Sequence, residues 1–317
     1  MNDRVLVTGG GGFIGSHLVR GLLSEGYRVS VLDNFMTGHR KNLQEVAGDI
    51  EAVWESDVRD LQSCLKAVKG VTAVFHLAAL ASVSGSIEEP ILSHEINLTG
   101  TLNMLQAARK NSVQGFIFSS SAAVYGDGPA MPKKENMKPD PMSPYALHKL
   151  AGEYYCRQYS ALFGLKTASL RYFNVFGARQ DPESQYAAAV PIFMSAILKD
   201  EPVHIYGDGE QTRDFVYVGD VVRANLQALR SEGLNGQVMN IAGGEKVTIN
   251  GLLKALEAVS GVSAEKVYSD PRPGDIRHSR ADISAASAHI GYKPAVGLED
   301  GLRRTFQWFR KARWAGQ

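Results

Sequence analysis

Short apolar segments alternate with helix-length segments through the first half of the chain, and this pattern restricts the fold more than any other feature. The β-rich apolar segments are RVLVT (4–8), YRVSVLD (27–33), IEAVWES (50–56), TAVFHLA (72–78) and GFIFSSS (115–121). Between them, apolar residues recur at steps of three and four over 13–25, 60–69 and 88–111. Such steps indicate amphipathic helices. Buried strands that alternate with helices predict βαβ units and a parallel sheet covered on both faces.

The second half of the chain is less regular. A loop that starts at 177 is predicted to lead into a helix at 187–199, and a further helix is predicted at 218–231. Between these helices, two short strands are predicted around the Gly-Asp-Gly turn at 207–209. At 317 residues the chain exceeds a typical single core, so one large domain or two closely joined domains are expected.

The composition argues against several classes of protein. Lysine and arginine number 34 against 33 aspartate and glutamate, and a net charge of +1 argues against nucleic acid or a membrane surface as a partner. Cys64 and Cys156 are too few for a disulfide framework, and the eight histidines show no metal-ligand spacing. No secretory signal is recognised at the N-terminus, and the longest apolar stretch is too short to cross a bilayer. We expect a cytoplasmic protein without a metal.

Glycines mark the turn between the first strand and the first helix. The segment VLVTGGGGFIGSHL places Gly9, Gly12 and Gly15 there, which permits a tight turn and close approach of a pyrophosphate to the backbone. The free N–H groups at the helix N-terminus then favour the anion. Asp33 ends the next strand, eighteen residues after Gly15, where a carboxylate accepts hydrogen bonds from a ribose. Because that carboxylate repels a 2′-phosphate and no arginine immediately follows it, NAD is predicted rather than NADP.

Tyr145 and Lys149 stand four residues apart in SPYALHKLAGEYY, on one face of a predicted helix. By itself this spacing is common in soluble helices and favours an ordinary pair of surface residues. A free tyrosine ionises near pH 10, so a tyrosine base at neutral pH needs about 4 kcal/mol of stabilisation. An ammonium about 4–6 Å away supplies roughly 3–4 kcal/mol at an effective dielectric constant near 20. Lys149 is therefore predicted to lower the pKa of Tyr145.

Taken together, these features resemble the extended short-chain dehydrogenase/reductase family, and within it the NAD-dependent nucleotide-sugar 4-epimerases. The resemblance spans almost the whole chain, through the segments TGGGGFIG, DVRD, HLAA, NLTGT, SSSAAVYG, YALHK, RYFNVFG, DGEQTRDFVYV and RPGDIRHSRAD. It implies the α/β class, with a Rossmann-type doubly wound parallel sheet and a smaller α/β substrate domain. The NAD-binding domain is predicted at 1–174, with a return to it at about 215–243. The nucleotide-sugar-binding domain is predicted at 175–214 and 244–317.

The resemblance also implies roles for individual residues. Tyr145 takes the proton of the sugar 4-hydroxyl as the C4 hydride passes to NAD, Lys149 also holds the nicotinamide ribose, and Ser121 hydrogen-bonds the sugar oxygen. Besides Tyr145 and Lys149, the predicted NAD contacts are Gly9, Gly12, Phe13, Ile14, Gly15, Asp33, Asn34, Asp57, Val58, Leu77, Ala78, Ala79, Asn97, Ser119 and Tyr172. Besides Ser121, the predicted substrate contacts are Ser82, Asn174, Ala188, Ala189, Tyr206, Arg213, Arg272, Asp275 and Ser279.

The residues after Ser121 favour epimerisation. Dehydratases and decarboxylases of the family that the chain resembles carry acidic residues there, and this chain has Ala122 and Ala123. What remains is oxidation at C4, rotation of the 4-keto sugar about its diphosphate link, and return of the hydride to the other face, which regenerates NAD. By resemblance, Arg213, Arg272 and Asn174 anchor the diphosphate. Asp275 orients the ribose or Arg272.

Small residues favour a wide sugar pocket. In the family that the chain resembles, the position of Ser279 limits the space beside the sugar, and a tyrosine there excludes a 2-acetamido group. Ser279 and Ala188 leave this space open, so interconversion of UDP-GlcNAc and UDP-GalNAc is predicted beside that of UDP-Glc and UDP-Gal. Ala81 stands where galactose-type enzymes often have lysine. Gly85 replaces an arginine of some relatives, which disfavours UDP-glucuronate.

Other functions stay open from the sequence. They are a UDP-glucuronate 4-epimerase, a nucleotide-sugar dehydratase or reductase, a dehydrogenase that releases NADH, and a non-catalytic NAD-binding protein. The sugar donor is a free UDP-sugar or a lipid-linked diphosphate sugar. By resemblance, the apolar stripes of helices 88–111 and 142–163 pair across a two-fold axis and predict a homodimer. The other interpretation is that both stripes belong to the core.

Overall fold

The structure, a computed structural model, describes residues 3–182, 188–271 and 276–314. In these ranges the strands are β1 (Arg4–Thr8), β2 (Arg28–Asp33), β3 (Ala52–Glu55), β4 (Ala73–His76), β5 (Gly115–Ser121), β6 (Lys166–Tyr172), β7 (Asn174–Phe176), β8 (Val203–Tyr206), β9 (Thr212–Arg213), β10 (Phe215–Tyr217), β11 (Gln237–Ile241), β12 (Val247–Thr248) and β13 (Lys266–Ser269). The α-helices are α1 (Phe13–Ser24), α2 (Leu61–Ala67), α3 (Val83–Glu88), α4 (Pro90–His94), α5 (Gly100–Lys110), α6 (Pro144–Phe163), α7 (Ala189–Lys199), α8 (Val218–Arg230), α9 (Ile249–Ser260), α10 (Ser284–Ile290) and α11 (Leu298–Trp314).

Seven of the strands form one parallel sheet in the order β11-β6-β5-β4-β1-β2-β3. The chain runs from β1 to β3 on one side, and from β4 through β6 to β11 on the other. Because the direction reverses between β1 and β4, a crevice opens there at the carboxyl ends of the strands, where sheets of this kind bind ligands. The predicted α/β class with a Rossmann-type doubly wound sheet is confirmed.

Helices cover both faces of this sheet. Side chains alternate between the two faces of a strand, and β1 follows that rule. Val5 and Val7 pack in one core cluster with residues of α1 and α8, whereas Leu6 packs in another with residues of α2 and α5. All three side chains are fully buried. Burial on both faces explains why three consecutive residues of β1, Val5, Leu6 and Val7, are apolar instead of alternating with polar residues.

The remaining elements build a second core. Helices α7, α9 and α11 pack around buried side chains such as Met194, Leu252 and Leu302. The two strands predicted around the Gly-Asp-Gly turn are present as β8 and β9, but they do not pair with each other. Instead β8 pairs with β13, and β9 pairs with β12. These partners lie far along the chain, so the local pattern could not identify them.

The helix predicted at 88–111 is interrupted. Helix α4 ends at His94, a π-helical turn covers Glu95–Thr99, and α5 begins at Gly100. A Cβ atom on Gly100 would lie 2.6 Å from a Val58 methyl carbon, so the helix approaches the loop after β3 at a point where only glycine fits. The π-helical turn contains Asn97, whose side chain reaches the loop after β4.

Within the described ranges, no helix combines the length and the apolar character needed to cross a membrane. The same residues contain no cluster of three histidine, cysteine, aspartate or glutamate side chains that could hold a metal ion. Cys64 and Cys156 are both buried as free thiols.

Candidate active site

The turn between β1 and α1 leaves room for a ligand because glycines form it. Gly9 has a left-handed backbone with φ of +70°, and its carbonyl accepts the Gly12 N–H at 3.1 Å. A Cβ atom on Gly15 would lie 2.0 Å from that same carbonyl oxygen. The first turn of α1 therefore packs directly against the glycine turn, at the crevice edge of the sheet. This places a helix N-terminus where an anion is favoured.

Asp33 lies beside this turn, at the end of β2. It is 7% exposed, and its carboxylate accepts the N–H groups of Gly11 and Phe35, each at 2.8 Å. Burial raises the pKa of Asp33, although these hydrogen bonds and the Arg40 guanidinium oppose the rise. Each carboxylate oxygen can accept a further hydrogen bond, so the group remains suited to ribose hydroxyls.

The loop after β4 forms the other side of the crevice. The Thr8 hydroxyl accepts the N–H groups of Leu77 and Ala78, each at 3.1 Å. A Cβ atom on Gly9 would lie 2.8 Å from the Ala78 nitrogen, so this loop touches the glycine turn. The predicted NAD contacts Leu77, Ala78 and Ala79 therefore lie next to the predicted pyrophosphate site.

Several predicted NAD contacts hydrogen-bond to the protein itself. The Asn97 side chain is buried, accepts the Leu80 N–H at 2.8 Å and donates to the Leu80 carbonyl at 3.1 Å. Asn34 donates to the Asp57 carboxylate at 2.7 Å. Asn97 thus positions the loop after β4, and Asn34 and Asp57 extend the crevice beyond Asp33. Of the others, Val58 is buried, and Phe13 and Ile14 begin α1.

Ser121, Tyr145 and Lys149 come from two neighbouring elements. Ser121 ends β5, and the other two lie in the first turns of α6, which packs on β5. The Lys149 ammonium lies 5.8 Å from the centre of the Tyr145 ring. It donates to the Ser119 carbonyl at 2.7 Å. The phenol and the ammonium predicted to act together are therefore neighbours.

The start of α6 is fixed by local sequence. Ser143 caps the helix, because its hydroxyl accepts the Ala146 N–H at 3.2 Å. Pro144 occupies the first helical position, where its missing N–H costs no hydrogen bond. The Tyr145 N–H donates to the Ser86 hydroxyl at 3.0 Å and ties this end of the helix to α3. These contacts hold the Tyr145 backbone in place.

The protonation of these groups differs from the prediction made from sequence. Burial raises the pKa of Tyr145, and the nearby Ser121 hydroxyl opposes this rise without overcoming it. Burial also lowers the pKa of Lys149 to about 8, against the opposing effects of Cys156 and Glu153. The predicted lowering of the Tyr145 pKa by Lys149 is thus not found. Lys149 is not among the groups that shift the Tyr145 pKa, and its ammonium donates instead to the Ser119 carbonyl.

A buried ion pair that we did not predict lies next to these residues. Glu153 follows Lys149 by one helical turn, and Arg171 lies on β6; both side chains are 3% exposed. Arg171 donates to the two carboxylate oxygens at 2.8 and 2.7 Å, and Ser120 donates to one of them. The network joins α6 to β5 and β6. No local sequence signal marks Glu153 and Arg171 as a pair.

A cavity of about 210 Å³ opens beside Ser121. The residues of the wall that follow Ser121 are Ala122 and Ala123, so no carboxylate faces the cavity there. The structure brings together five residues predicted to contact substrate or cofactor, since the lining includes Ser121, Tyr172, Asn174, Arg213 and Ser279.

Other predicted substrate contacts lie elsewhere. Tyr206 ends β8, is 38% exposed and is not among the residues that line this cavity. The Ser82 hydroxyl accepts the Gly85 N–H at 2.8 Å and so caps α3. Ala188 is exposed just before α7, and Ala189 begins that helix. Arg272 and Asp275 lie outside the described residues.

Asp214 organises one wall of the cavity and was missed by sequence reasoning. It is fully buried, and its carboxylate accepts the N–H groups of Gly243, Gly244 and Ala281 at 2.9, 3.0 and 3.0 Å. Because Ala281 follows Ser279 by two residues, Asp214 fixes the segment that carries Ser279. Burial raises the pKa of Asp214 to about 6 in spite of these donors.

Lys133 is the second residue of the cavity that was missed. In the polar segment MPKKEN it looks like an ordinary surface lysine. In the structure it is 4% exposed and lines the cavity, with its ammonium donating to the Gly128 carbonyl. Burial lowers the pKa of Lys133, and the Asp127 carboxylate opposes this.

Comparison with known proteins identifies the family. The NAD dependent epimerase/dehydratase family matches residues 5–242. The chain belongs to this family. NAD is accordingly its cofactor, and the glycine turn with the buried Asp33 beside it has the features that a dinucleotide requires.

Solved structures of other epimerases closely resemble this member of the epimerase/dehydratase family. The UDP-N-acetylglucosamine 4-epimerase of Methanobrevibacter ruminantium M1, in complex with UDP-N-acetylmuramic acid, is 43% identical with a TM-score of 0.93, covering 98% of this chain and 100% of that one. The UDP-glucose 4-epimerase of Thermotoga maritima, with UDP-glucose, is 41% identical with a TM-score of 0.93, covering 98% and 99%. The UDP-glucuronic acid 4-epimerase of Bacillus cereus, in complex with UDP-glucuronic acid and NAD, is 34% identical with a TM-score of 0.90, covering 98% and 99%. These proteins are named for different sugars, so the likeness alone does not select one.

Proposed function

We propose that the protein is a UDP-hexose 4-epimerase that interconverts UDP-Glc with UDP-Gal and UDP-GlcNAc with UDP-GalNAc. The observation that carries the proposal is the wall of the cavity at Ser121, whose hydroxyl lies close to the Tyr145 phenol. There Ser121 is followed by Ala122 and Ala123, so a hydroxyl and a phenol are available for proton transfer, and no carboxylate is available for elimination or decarboxylation. The relatives described above support the same class of reaction.

In the proposed mechanism, bound NAD supplies a hydride acceptor and donor for C4 of the sugar. The glycine turn would hold its pyrophosphate, Asp33 the adenosine ribose and Lys149 the nicotinamide ribose. Tyr145 takes the proton from the 4-hydroxyl during oxidation and returns it during reduction. Ser121 orients the sugar oxygen toward the phenol. Because burial raises the pKa of Tyr145, the adjacent Lys149 charge is needed to favour the phenolate.

The diphosphate must stay anchored while the sugar turns. Arg213 and Asn174 line the cavity and are the proposed anchors among the described residues. The Asn174 side chain also donates to the Asp214 carbonyl at 3.0 Å, and an Arg213 nitrogen donates to the Thr212 carbonyl at 3.0 Å. Both groups are therefore partly fixed in place, which reduces the entropy lost on binding. Arg272 and Asp275 remain proposed contacts on the basis of sequence.

The width of the sugar site is the basis for proposing two classes of sugar. Ser279 lines the cavity, and its backbone N–H donates to the Thr212 carbonyl at 3.0 Å. A small side chain on a fixed backbone leaves room for a 2-acetamido group. A tyrosine at this position would fill that room and could not be accommodated by a shift of the segment.

Separate incubation with UDP-Gal and UDP-GalNAc, followed by resolution of the C4 stereoisomers, tests this proposal. We expect turnover of both UDP-sugars, without a net increase in the absorbance of NADH at 340 nm. Ser279→Tyr is expected to lower kcat/KM for UDP-GalNAc about tenfold or more, and to change that for UDP-Gal less than about threefold. Ser279→Ala, the matched control, should leave both unchanged. Turnover of UDP-Gal alone by the wild-type protein would contradict the acetamido part of the proposal.

The absorbance at 340 nm and the identity of the product also distinguish the proposed epimerase from other enzymes of nucleotide sugars. A dehydrogenase that releases NADH would produce absorbance at 340 nm in proportion to the substrate consumed, whereas an epimerase consumes no cofactor. UDP-glucuronate belongs in the same panel, because one close structural relative is named for that sugar. A dehydratase would yield a 4-keto-6-deoxy sugar instead of a C4 stereoisomer.

We also propose a homodimer, formed through α6 and α4. Exposed apolar side chains recur along α6 at Leu147, Tyr154 and Leu162, with exposed fractions of 54%, 46% and 70%. Ile91 of the neighbouring α4 is 76% exposed. An apolar stripe of this kind on the surface favours association with a second copy. Light scattering should give twice the 34.4 kDa of one chain, and Leu162→Glu should shift the protein toward monomer.

The two cores of the fold support the assignment of cofactor binding and substrate binding to two different domains. We propose that residues 1–174 and about 215–243 bind NAD. Residues 175–214 and 244–317 would then bind the nucleotide sugar. In support of this, β11 extends the large sheet, whereas α7, α9 and α11 share the second core.

A further inference from the structure

Lys133 has no role in the mechanism above, yet its position is unusual for a lysine. Lysine side chains in loops normally keep their ammonium in water. Lys133 is 4% exposed and lines the same cavity as Ser121 and Ser279. Its neighbour Lys134 shows the ordinary behaviour, since its side chain is 54% exposed and pairs with Asp282 at the surface.

The Lys133 backbone is held firmly against the wall of the sugar site. Its N–H donates to the Arg280 carbonyl at 2.8 Å, and its carbonyl accepts the Asp282 N–H at 2.9 Å. The Asn240 side chain also donates to that carbonyl, at 3.0 Å. Lys133 is therefore paired with the segment that follows Ser279, the residue proposed to set the width of the sugar site.

The ammonium keeps hydrogen-bonding capacity for a ligand. A lysine ammonium has three N–H donors. Among the described residues, the Lys133 ammonium donates to one acceptor, the Gly128 carbonyl. Burying a cation whose N–H donors are not all used costs free energy in folding. In the wall of a substrate cavity, a ligand that accepts from those donors would offset this cost. Burial lowers the pKa of Lys133, as expected for a charge held away from water.

The position of Lys133 favours the hexose over the diphosphate as its target. Lys133 lines the same cavity as Ser121, the residue proposed to contact the reacting hydroxyl, and its backbone is held by the segment that follows Ser279. The diphosphate already has Arg213 as a proposed partner. The groups of a nucleotide hexose that accept strongly from an ammonium, apart from the phosphates, are acyl oxygens such as those of a carboxylate or an acetamido group.

We propose that Lys133 selects hexoses that carry an acyl substituent, by donating from its ammonium to the substituent oxygen. The inference rests on the proposed function and deepens it, because it concerns which sugars the same site accepts. Lys133 also supplies a cation for a uronate carboxylate, in place of the arginine that Gly85 replaces. Plain hexoses would bind without this contact.

The test compares kcat/KM of the wild-type holoenzyme and Lys133→Met for UDP-Glc, UDP-GlcNAc and UDP-glucuronate. We expect Lys133→Met to lower kcat/KM about tenfold or more for each acylated sugar that the wild type uses, mainly through KM. For UDP-Glc the change should stay within about threefold, and Lys134→Met should change none of the three. Lys133→Gln keeps an N–H donor without the charge. It should therefore recover part of the loss for UDP-GlcNAc, and none of it for UDP-glucuronate.

The outcomes separate this inference from the proposed function. Equal losses for all three sugars, or no loss for any, would overturn the role of Lys133 while the epimerase activity stands. Turnover of UDP-Glc alone by the wild-type protein would do the same. If the wild type epimerises none of the three sugars, the proposed function fails and this inference fails with it. Thermal unfolding and retention of NAD confirm that each variant is folded.

Discussion

Tyr145→Phe is expected to lower kcat about a thousandfold while NAD binding changes less than about threefold. The substitution removes one hydroxyl and keeps the ring that lies near Lys149. Without that hydroxyl, the group proposed to take the proton of the sugar 4-hydroxyl is missing. The Lys149 ammonium and the Ser119 carbonyl still pair, so the proposed ribose contact of Lys149 remains. The measurements are steady-state epimerisation and titration of the protein with NAD.

Tyr154→Phe is the matched control for this prediction. Tyr154 lies on the same helix, is 46% exposed and is not among the residues that line the cavity, and phenylalanine keeps the apolar ring that it contributes to the proposed dimer surface. Its replacement should leave kcat within about twofold of the wild type. Retained turnover in Tyr145→Phe would refute the assigned role of the phenol. A loss of NAD binding equal to the loss of kcat would instead make Tyr145 a cofactor ligand and not a proton-transfer group.

Glu153→Ala is expected to lower the free energy of unfolding by about 3–5 kcal/mol. The carboxylate accepts two hydrogen bonds from Arg171 and one from Ser120, all in a buried setting. Its removal leaves the Arg171 guanidinium as an unpaired buried charge. The same carboxylate raises the pKa of Arg171 far above its ordinary value, although burial acts in the opposite direction. Urea unfolding followed by circular dichroism measures the change.

Two further variants show how much of the stability change is due to the burial of the Glu153–Arg171 pair. Glu299→Ala breaks an exposed i,i+4 pair with Arg303, at 2.9 Å, and should cost no more than about 0.5 kcal/mol. Glu153→Ala combined with Arg171→Met removes both charges and should recover most of the stability lost in the single variant. If Glu153→Ala proves as mild as Glu299→Ala, the pair does not hold α6 against the sheet in the way described.

The fold could be predicted from sequence because its signals are local. The alternation of apolar strands and helices predicted a parallel sheet covered on both faces. The glycines at the first turn predicted that backbone segments approach each other closely there. Gly15 illustrates the second case, since any Cβ there meets the Gly9 carbonyl. Asp33 was found for a similar reason, because its place at the end of the second strand follows from the strand pattern.

The features that were missed depend on contacts distant in sequence. Glu153 and Arg171 meet only when α6 lies on the sheet, and nothing in either segment marks it as paired. Lys133 and Lys134 have the same local surroundings, yet one is buried in the cavity wall and the other is exposed. The tertiary pairing of Lys133 with the segment around Ala281 makes that difference.

The rise in the pKa of Tyr145 could not be predicted from the sequence for a related reason. The sequence gives the spacing of the phenol and the ammonium but not the degree of burial. Burial penalises the phenolate and also lowers the pKa of Lys149 to about 8. Because Lys149 loses its charge as the pH rises through about 8, the proposed stabilisation of the phenolate by this residue should weaken above that pH.

The fate of the hydrogen at C4 tests the proposed chemistry most directly. UDP-glucose labelled with deuterium at C4 is incubated with the enzyme in ordinary water, and the UDP-galactose formed is examined by mass spectrometry. Oxidation and reduction at the same carbon, with Tyr145 exchanging only the hydroxyl proton, predict that the product keeps its deuterium. Washing out of the label into water would contradict hydride transfer and return at C4.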